Sequence, residues 1–439
     1  MHNNLILDKI KKDRVKFISI QFSDLFGVVK EIIIQSKDIK EALENGIWFD
    51  GSSIEGFARI EESDLFLRPD PKTYSIVPWS VDNGKTARMI CDVFRPNGKP
   101  FEGDPRYILK KIIAKAGSMN FEYNVGPEPE FYIFKNVESK IEPIDRKSYF
   151  DFSSNGSYDL IKQIIESLKM FGINVETSHH EVGNGQYEID FNYGPALSIA
   201  DRLITLKYTV KKIAQMNELK ATFMPKPIKK FPGSGMHVHQ SLFINEKNIF
   251  YDKNDKYNLS EIAYNFIGGQ MNNIKSMCAI LCPTINSYKR LVSGFEAPIY
   301  ITWSRMNRSA LVRVPKWFNT KPNSARIELR CPDSTSNPYL AFAVMLKAGL
   351  EGIDKKMRPP DPIEDNVYGF DSKTLAEKNI GVLPTSLEES LNELKKAGFI
   401  RELFGEETFD KYIKIKKSEL SEFKRQVTNW EIKKYFDSY

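Results

Sequence analysis

Ionisable side chains recur at alternate positions in four short stretches of this chain, and that spacing limits its folds more than any other feature. Glu128 and Glu130 stand in GPEPEF, Glu188 and Asp190 in QYEID, His237 and His239 in MHVHQ, and Glu328 and Arg330 in RIELR. Residues i and i+2 of a strand share a face, so each stretch, if extended, presents its pair on one side of a sheet. Apart from His2, the histidines lie in two tight groups: His179-His180 beside Glu181, and His237 with His239. Between Glu181 and Glu188 the run Gly183-Asn184-Gly185 signals a turn, and a hairpin there returns the two glutamates towards each other. One such pair alone is explained by a solvated sheet face. Four of them, some flanked by Gly or Pro, point to a shared acidic surface.

Gathered on one concave sheet, Glu128, Glu130, Glu181, Glu188 and Glu328 repel one another unless cations sit among them. Carboxylate oxygens with one imidazole suit hard or borderline divalent ions, which favours Mg²⁺ or Mn²⁺ over zinc. A second group is cationic: Arg290, Arg308, Arg313, Arg326 and Arg330 crowd the part of the chain that holds GFEAP and RIELR. Scattered on a surface they would form ion pairs worth about 0–1 kcal/mol each. Gathered, they cradle phosphates and carboxylates, which a planar guanidinium grips better than an ammonium does. Metal-holding carboxylates facing arginines is the arrangement that phosphoryl transfer needs. Neither Gly-x-x-x-x-Gly-Lys-Ser/Thr nor Gly-x-Gly-x-x-Gly occurs, so neither standard nucleotide loop is available.

A chain of 439 residues has room for two or three domains. Its formal charge is +6 and its basic runs, Lys11-Lys12 and Lys229-Lys230, are short, which argues against a nucleic-acid binder. The apolar run 339–346 stops at Lys347, too short for a bilayer, and MHNNLILDKIKKDR lacks the apolar centre of a signal peptide. Four cysteines without a Cys-x-x-Cys suggest neither a disulfide framework nor a zinc knuckle, so a cytoplasmic location is expected. Residues 15–34 alternate around Gly27 as a hairpin, a helix over 37–45 ends at Gly46, WFDGSSIEGF reads as an ordered loop, and strands are expected at 73–77 and 86–93. RPNGKPFEGDPR, dense in Pro and Gly, places a domain boundary that divides the chain into 1–101 and 102–439. After a helical 107–117, helices are expected at 157–171, 198–217, 259–280, 337–353, 386–397 and 407–426, and strands at 130–134, 173–181, 186–191, 235–244, 310–314 and 325–330. Strands without regular βαβ spacing favour an α+β fold with a mixed or antiparallel sheet and helices outside it.

Nine segments in order carry a family resemblance: DGSSIEGF (50–57), GPEPEF (126–131), HHEVGNGQYEID (179–190), ATFMPKP (221–227), GSGMHVHQSL (233–242), KRLVSGFEAP (289–298), NRSALVRVP (307–315), ARIELRCPD (325–333) and NPYLAFAVMLKAGLEGI (337–353). The chain resembles a type I glutamine synthetase, or glutamate–ammonia ligase. That resemblance implies a small N-terminal β-grasp domain and a catalytic domain on a curved antiparallel sheet. It implies a homododecamer of two stacked hexameric rings with active sites between subunits, and glutamine made from ATP, glutamate and ammonia through γ-glutamyl phosphate. Two or more Mg²⁺ or Mn²⁺ ions are implied per subunit, one held by Glu130, Glu181 and Glu188, the other by Glu128, His237 and Glu328. Carried over likewise, Gly233, Arg290 and Arg330 bind glutamate. Glu176, Tyr193, His239, Ser241, Arg308, Arg313 and Arg326 surround ATP and the transferring phosphoryl group. Asp50 and Ser53 of a neighbouring subunit, with Tyr149 and Glu296, form the ammonium pocket; Asp50, Glu296 and Arg308 are the catalytic residues. In isolation, Asp50 before Gly51 equally suits an Asx-turn.

Departures from the family pattern bear on substrate and control. Pro232 stands where the family usually has an asparagine that helps bind the amino end of glutamate, and proline offers no such group. Ser293 replaces a usual proline beside the flap, and the segment before ARIELR is slightly longer than in some relatives. Gly381 occupies the position of the tyrosine that some bacterial relatives adenylylate, so that modification is ruled out. Arg59 matches the arginine of the glutamine-feedback-inhibited subgroup, although an ion pair with Glu61 or Glu62 serves as well, and a PII-type regulator fits the same subgroup. Two rivals stand beside ammonia ligation. One is a γ-glutamyl-amine or polyamine ligase of the same superfamily, favoured by Pro232 alone; the other is a non-catalytic paralogue, opposed by the intact set of six metal-ligand candidates.

Overall fold

The computed structural model describes residues 2–57, 63–80, 84–137, 140–152, 156–292, 297–317 and 320–438. Six strands build the N-terminal part: β1 (Phe17–Ser23), β2 (Val29–Gln35), β3 (Ile47–Asp50), β4 (Asp64–Pro69), β5 (Ser75–Ile76) and β6 (Thr86–Phe94). Gly27 at φ +80° turns the β1–β2 hairpin, and Asp24 Oδ1 accepts the N–H groups of Phe26 and Val28 at 2.9 Å each. β1 also runs parallel to β6, giving the order β2-β1-β6-β4-β3 with β5 on β6. The helices α1 (His2–Lys12) and α2 (Ile39–Asn45) bury Ile6, Ile10, Ile39 and Leu43 in one core with Ile18, Ile20, Met89 and Val93. Helix α1 is not among the helices expected from the sequence.

Twelve strands form the second sheet: β7 (Glu122–Val137), β8 (Lys140–Pro143), β9 (Val175–His180), β10 (Gln186–Phe191), β11 (Gly194–Pro195), β12 (Leu219–Thr222), β13 (Met236–Ile244), β14 (Lys247–Asn248), β15 (Tyr300–Ser304), β16 (Ala310–Arg313), β17 (Ile327–Leu329) and β18 (Gly381–Val382). Its main path is β18-β15-β16-β17-β13-β7-β10-β9. Around it stand α3 (Pro105–Ser118), α4 (Ser157–Met170), α5 (Ala196–Met216), α6 (Glu261–Leu281), α7 (Ser287–Arg290), α8 (Pro338–Asp354), α9 (Ser372–Glu377), α10 (Leu387–Lys395), α11 (Gly398–Phe404), α12 (Glu406–Lys424) and α13 (Asn429–Tyr435). The sheet is mixed, as the spacing allowed: all its pairs are antiparallel among the described residues except β15 and β16, which run parallel. The link between them makes an excursion rather than a hairpin, because the Glu364 carboxylate accepts the N–H groups of Arg305 and Met306 at 3.0 and 2.9 Å. Strand 130–134 likewise proves to be the middle of the sixteen-residue β7, whose two internal prolines hid its length.

Two buried polar junctions help to join the two parts. Asn337, the N-cap of α8, donates from Nδ2 to the Asp24 and Leu25 carbonyls of the β1–β2 turn at 3.2 Å each. Arg106, 2% exposed, reaches Asp70, Asp92 and Asp201, with a bidentate grip of 3.1 and 3.0 Å on Asp201. Helix α8 is apolar on nearly every side and accordingly buried along most of its length. It approaches α6 to backbone distance: a Cβ on Gly352 would lie 2.1 Å from the Asn265 carbonyl, and one on Gly269 would lie 2.2 Å from the Ala348 carbonyl. Both obstacles are backbone, which a rotamer change cannot clear. Gly352→Ala is therefore expected to destabilise the fold by about 3 kcal/mol or more, at the upper end of overpacking costs. Denaturant unfolding that shows a change under about 1 kcal/mol would contradict this helix contact.

Candidate active site

Strand register assembles the site. Glu188 of β10 stands opposite His179 of β9 on one side and Glu130 of β7 on the other. Two residues along β7, Glu128 stands opposite His237 of β13, and His239 stands opposite Glu328 of β17, which in turn faces Arg313 of β16. Directly opposed residues share a face and bring their Cβ atoms to about 4.5–5.5 Å, so ladder pairing alone gathers acids and imidazoles from five strands. The alternate residues of β7, Pro127, Pro129 and Phe131, oppose Val238, Met236 and Tyr187 on the apolar face.

Two groups of donor atoms result, each spanning no more than 4.8 Å: Glu128, His237 and Glu328 in one, His179, Glu181 and Glu188 in the other. The first is the set the resemblance implied. The second differs from it, because His179 rather than Glu130 lies with Glu181 and Glu188; its Nε2 is 3.6 Å from an oxygen of each. Glu130 is held beside this group through Oε2, which accepts from Gln186 Nε2 at 2.9 Å and from the Gly235 N–H at 3.1 Å. The signal for His179 was present in the sequence, since it stands two residues from Glu181. His180 points to the other face, where Asp145 Oδ1 binds its Nε2 at 2.9 Å and also accepts the Gly185 N–H at 2.9 Å. That pair holds the Glu181–Gln186 turn in place, with Gly185 at φ +71°.

The two groups differ in charge. Burial would raise the Glu128 carboxyl, but His239, 2.6 Å away, and His237 hold it well below the usual range. Glu328 is 1% exposed and burial opposes its charge, yet Arg330 at 2.8 Å, with His239 and His237, keeps it lowered, and Arg313 also donates to it at 3.0 Å. No lysine or arginine pairs with Glu181 or Glu188 among the described residues. Burial, then the charge of Glu130, pushes Glu181 to about 8; burial, then Asp190 and the other glutamates, pushes Glu188 to about 11. Asp190 rises to about 7, again by burial first. This concentration of unmatched acid oxygen fits a hard divalent cation. The buried Asp190 Oδ1, left without a protein partner, fits the same reading, whereas the unpartnered Nε–H groups of Arg313 and Arg330 can only donate and suit an anion.

All of this faces a cleft in two parts that share Glu128 and Asp190. The larger, about 660 Å³, also takes in Tyr149, Gly233, Arg290, Arg308 and Pro232. Arg290 is buried and fixed, donating to the carbonyls of Arg330, Cys331 and Pro332 at 3.0, 2.7 and 3.2 Å. Tyr149 stacks on Phe150, ring centres 4.1 Å apart. The smaller part, about 370 Å³, collects Glu176, Tyr193, His239, Ser241 and Arg326, whose Nε lies 3.3 Å from His239 Nδ1. Asp50 and Ser53 stand apart from both, on the β3–β4 side of the small sheet. There Asp50 accepts from the Ser52 N–H, the Ser52 hydroxyl and the Ser53 hydroxyl at 2.9, 2.7 and 2.8 Å, which lowers its pKa. Glu296, Ser293 and Arg59 lie outside the described residues.

Residues 102–435 match the family model described as glutamine synthetase, catalytic domain, and residues 14–96 the one described as glutamine synthetase, beta-Grasp domain. The chain belongs to the glutamine synthetase family. It is 46% identical to a glutamine synthetase of Methanosarcina mazei over 98% of this chain and 96% of that one. It is 46% identical to one of Thermotoga maritima over 97% of each. Among solved structures, one titled as a complex of GmaS with ADP superposes with a TM-score of 0.89 at 30% identity, covering 98% and 99% of the two chains. The Plasmodium falciparum glutamine synthetase gives 0.88 at 28% identity, covering 99% and 98%. The N-terminal β-grasp domain and the catalytic domain with a curled sheet thus follow the family.

The charge imbalance has a consequence for metal binding. A carboxyl whose folded pKa exceeds its unfolded value, near 4.3, costs stability as pH rises through that interval. Raised to about 8 and about 11, Glu181 and Glu188 are expected to carry protons at pH 7 in the metal-free protein. Ligation requires the carboxylates, so uptake of a divalent cation at pH 7 is expected to release between one and two protons per subunit and to tighten from pH 6 to 8. Calorimetry in buffers of different ionisation enthalpy measures this; a proton count of zero would contradict the charge distribution described.

Proposed function

We propose that the cleft joins ammonia to the γ-carboxylate of L-glutamate through γ-glutamyl phosphate, with ATP in the smaller part and glutamate in the larger. As a member of its family the chain is an ATP-dependent, glutamine-forming ligase. The observation that carries the finer reading is the pair of three-residue donor groups set side by side on one sheet face, with arginines at its border. Glu128, His237 and Glu328 would hold one divalent cation and Glu181 and Glu188, with Glu130 and His179 beside them, another; Mg²⁺ or Mn²⁺ suits these donors. When bound, such ions neutralise phosphate oxygens and polarise the attacked groups.

The chain's own residues do the rest. Arg290 and Arg330 orient the carboxylates of glutamate, and Gly233 offers backbone to its amino-acid end. Arg308, Arg313 and Arg326 counter charge on ATP while the γ-carboxylate oxygen attacks the terminal phosphorus and ADP leaves. Glu176, Tyr193, His239 and Ser241 border the nucleoside. Asp50 and Ser53 complete the ammonium pocket of a neighbouring subunit together with Tyr149 and Glu296. The ionised Asp50 carboxylate binds ammonium and takes its proton; the freed ammonia attacks the acyl phosphate and expels phosphate. Glu296 closes the pocket, because an acyl phosphate exposed to water hydrolyses.

That neither Asp50 nor Ser53 lines its own cleft supports action in trans. Exposed apolar side chains on the small sheet (Trp48, Ile33) and at the C-terminal end (Val427, Trp430, Phe436) support an assembled state, which we place as two stacked hexameric rings. The domain boundary at 101/102, a cytoplasmic location, glutamine feedback through Arg59 and a PII-type partner belong to the same reading. Among the described residues no helix is long and apolar enough to cross a membrane. A ligase for larger amines remains the second reading, favoured by Pro232, which lines the cleft and whose carbonyl accepts from the Tyr132 hydroxyl at 2.7 Å.

Phosphate release with ATP, glutamate and Mg²⁺ is expected with ammonium and with hydroxylamine; turnover with putrescine but not ammonium would establish the second reading. Glu328→Ala is expected to lower phosphate release by more than about 100-fold, beyond the 10–100-fold typical of groups that only support a ligand. Asp50→Ala is expected to lose about 100-fold at neutral pH, within the range of a proton acceptor, and to recover as rising pH supplies free ammonia. A pH-independent loss would rule out proton removal by Asp50.

A further inference from the structure

Gln186 lines the larger cleft, and its side-chain amide bonds several of the segments that build it. Its side chain is 1% exposed, at the first position of β10 and two residues before Glu188, hence on the same face. Nε2 donates to Glu130 Oε2 at 2.9 Å and to the Gly233 carbonyl at 3.1 Å, with Ser234 Oγ at 3.3 Å. Oε1 accepts the Gly183 N–H at 3.1 Å and lies 3.1 Å from the Tyr132 hydroxyl. A backbone N–H can only donate, so the Gly183 contact fixes which end of the amide is oxygen and aims the NH₂ end at Glu130 and Gly233.

One amide therefore ties together three segments with separate tasks: the turn that carries Glu181, the strand that carries Glu130, and the loop that presents Gly233. The packing leaves no slack, since a Cβ on Gly183 would lie 2.1 Å from the Tyr132 hydroxyl oxygen and 2.7 Å from Gln186 Oε1. Held by Gln186 and by the Gly235 N–H through Oε2, the Glu130 carboxylate keeps Oε1 free of those two bonds.

We propose that Gln186 is a positioning residue that couples the cation-binding carboxylates to the glutamate-binding loop. Withdrawing its NH₂ lets the Glu130 carboxylate and the Gly233 carbonyl move independently, so both cation and amino-acid affinity suffer together. The inference rests on the proposed cation site and deepens it. No other side chain in the structure bonds both Glu130 and the Gly233 carbonyl among the described residues.

The test is Gln186→Met, which keeps length and packing but removes both polar ends, alongside Gln186→Asn, which keeps the amide and shortens its reach. Mn²⁺ affinity of the folded protein is read by titration, with apparent KM for glutamate and ATP and kcat in the same preparations. Loss of a partner that orients a ligand typically costs 10–100-fold, so Mn²⁺ affinity is expected to fall by that factor and KM for glutamate to rise, with KM for ATP changing less than threefold. Lower thermal stability with unchanged Mn²⁺ affinity and glutamate KM, in whichever variant folds, would overturn the proposal. Failure of the wild-type protein to bind Mn²⁺ would instead overturn the cation site on which it rests.

Discussion

The register of β7 against β13 and β10 is the constraint on which the site depends. On one face β7 presents Pro127, Pro129 and Phe131 to Val238, Met236 and Tyr187; on the other it presents Glu128 and Glu130 to His237 and Glu188. A slip of one residue would exchange the faces, setting carboxylates into the apolar core and apolar groups into the cleft. The hydrophobic effect acting on the buried face thus aligns the charged one. The core pays for the acids' proximity, and no feature of the acids themselves would hold them so close.

That proximity is balanced unevenly. Around Glu128 and Glu328 the protein supplies its own compensation, two imidazoles and two guanidinium groups, and both carboxyls stay ionised. Around Glu181 and Glu188 it supplies one histidine, which burial keeps from charging readily, and the carboxyls hold protons instead. One half of the cleft is therefore neutralised in advance and the other awaits a cation. The frame bearing this strain is stiff: glycine-mediated contact of α6 with α8, and Arg106 clasped between three carboxylates at the junction of the two parts.

Much of the site could be read from spacing, and particular residues show where reading ended. Glu128, Glu130, Glu188, His237 and Glu328 sit in strands whose period of two made their common face evident. His179 and Gln186 obey the same period relative to Glu181 and Glu188, yet they went unassigned, because a histidine beside another histidine and a neutral amide carry no sign of which neighbour they will meet. The length of β7 was hidden by Pro127 and Pro129, which forfeit ladder donors yet sit in a strand kept extended by both partners. The parallel β15–β16 pair was hidden because it follows from where the 305–309 excursion docks on Glu364.

Sequence alone determined which side chains share a face, where turns interrupt the strands, and that acids and arginines are too many and too regular for a solvated surface. These are local properties, set by backbone geometry within a few residues. Which strands become neighbours, in what register, and hence that Glu128 meets His237 while Glu130 is held by Gln186, was decided only by the tertiary structure. Pairing across a hundred residues depends on the packing of both sheet faces at once, and no local rule contains that sum.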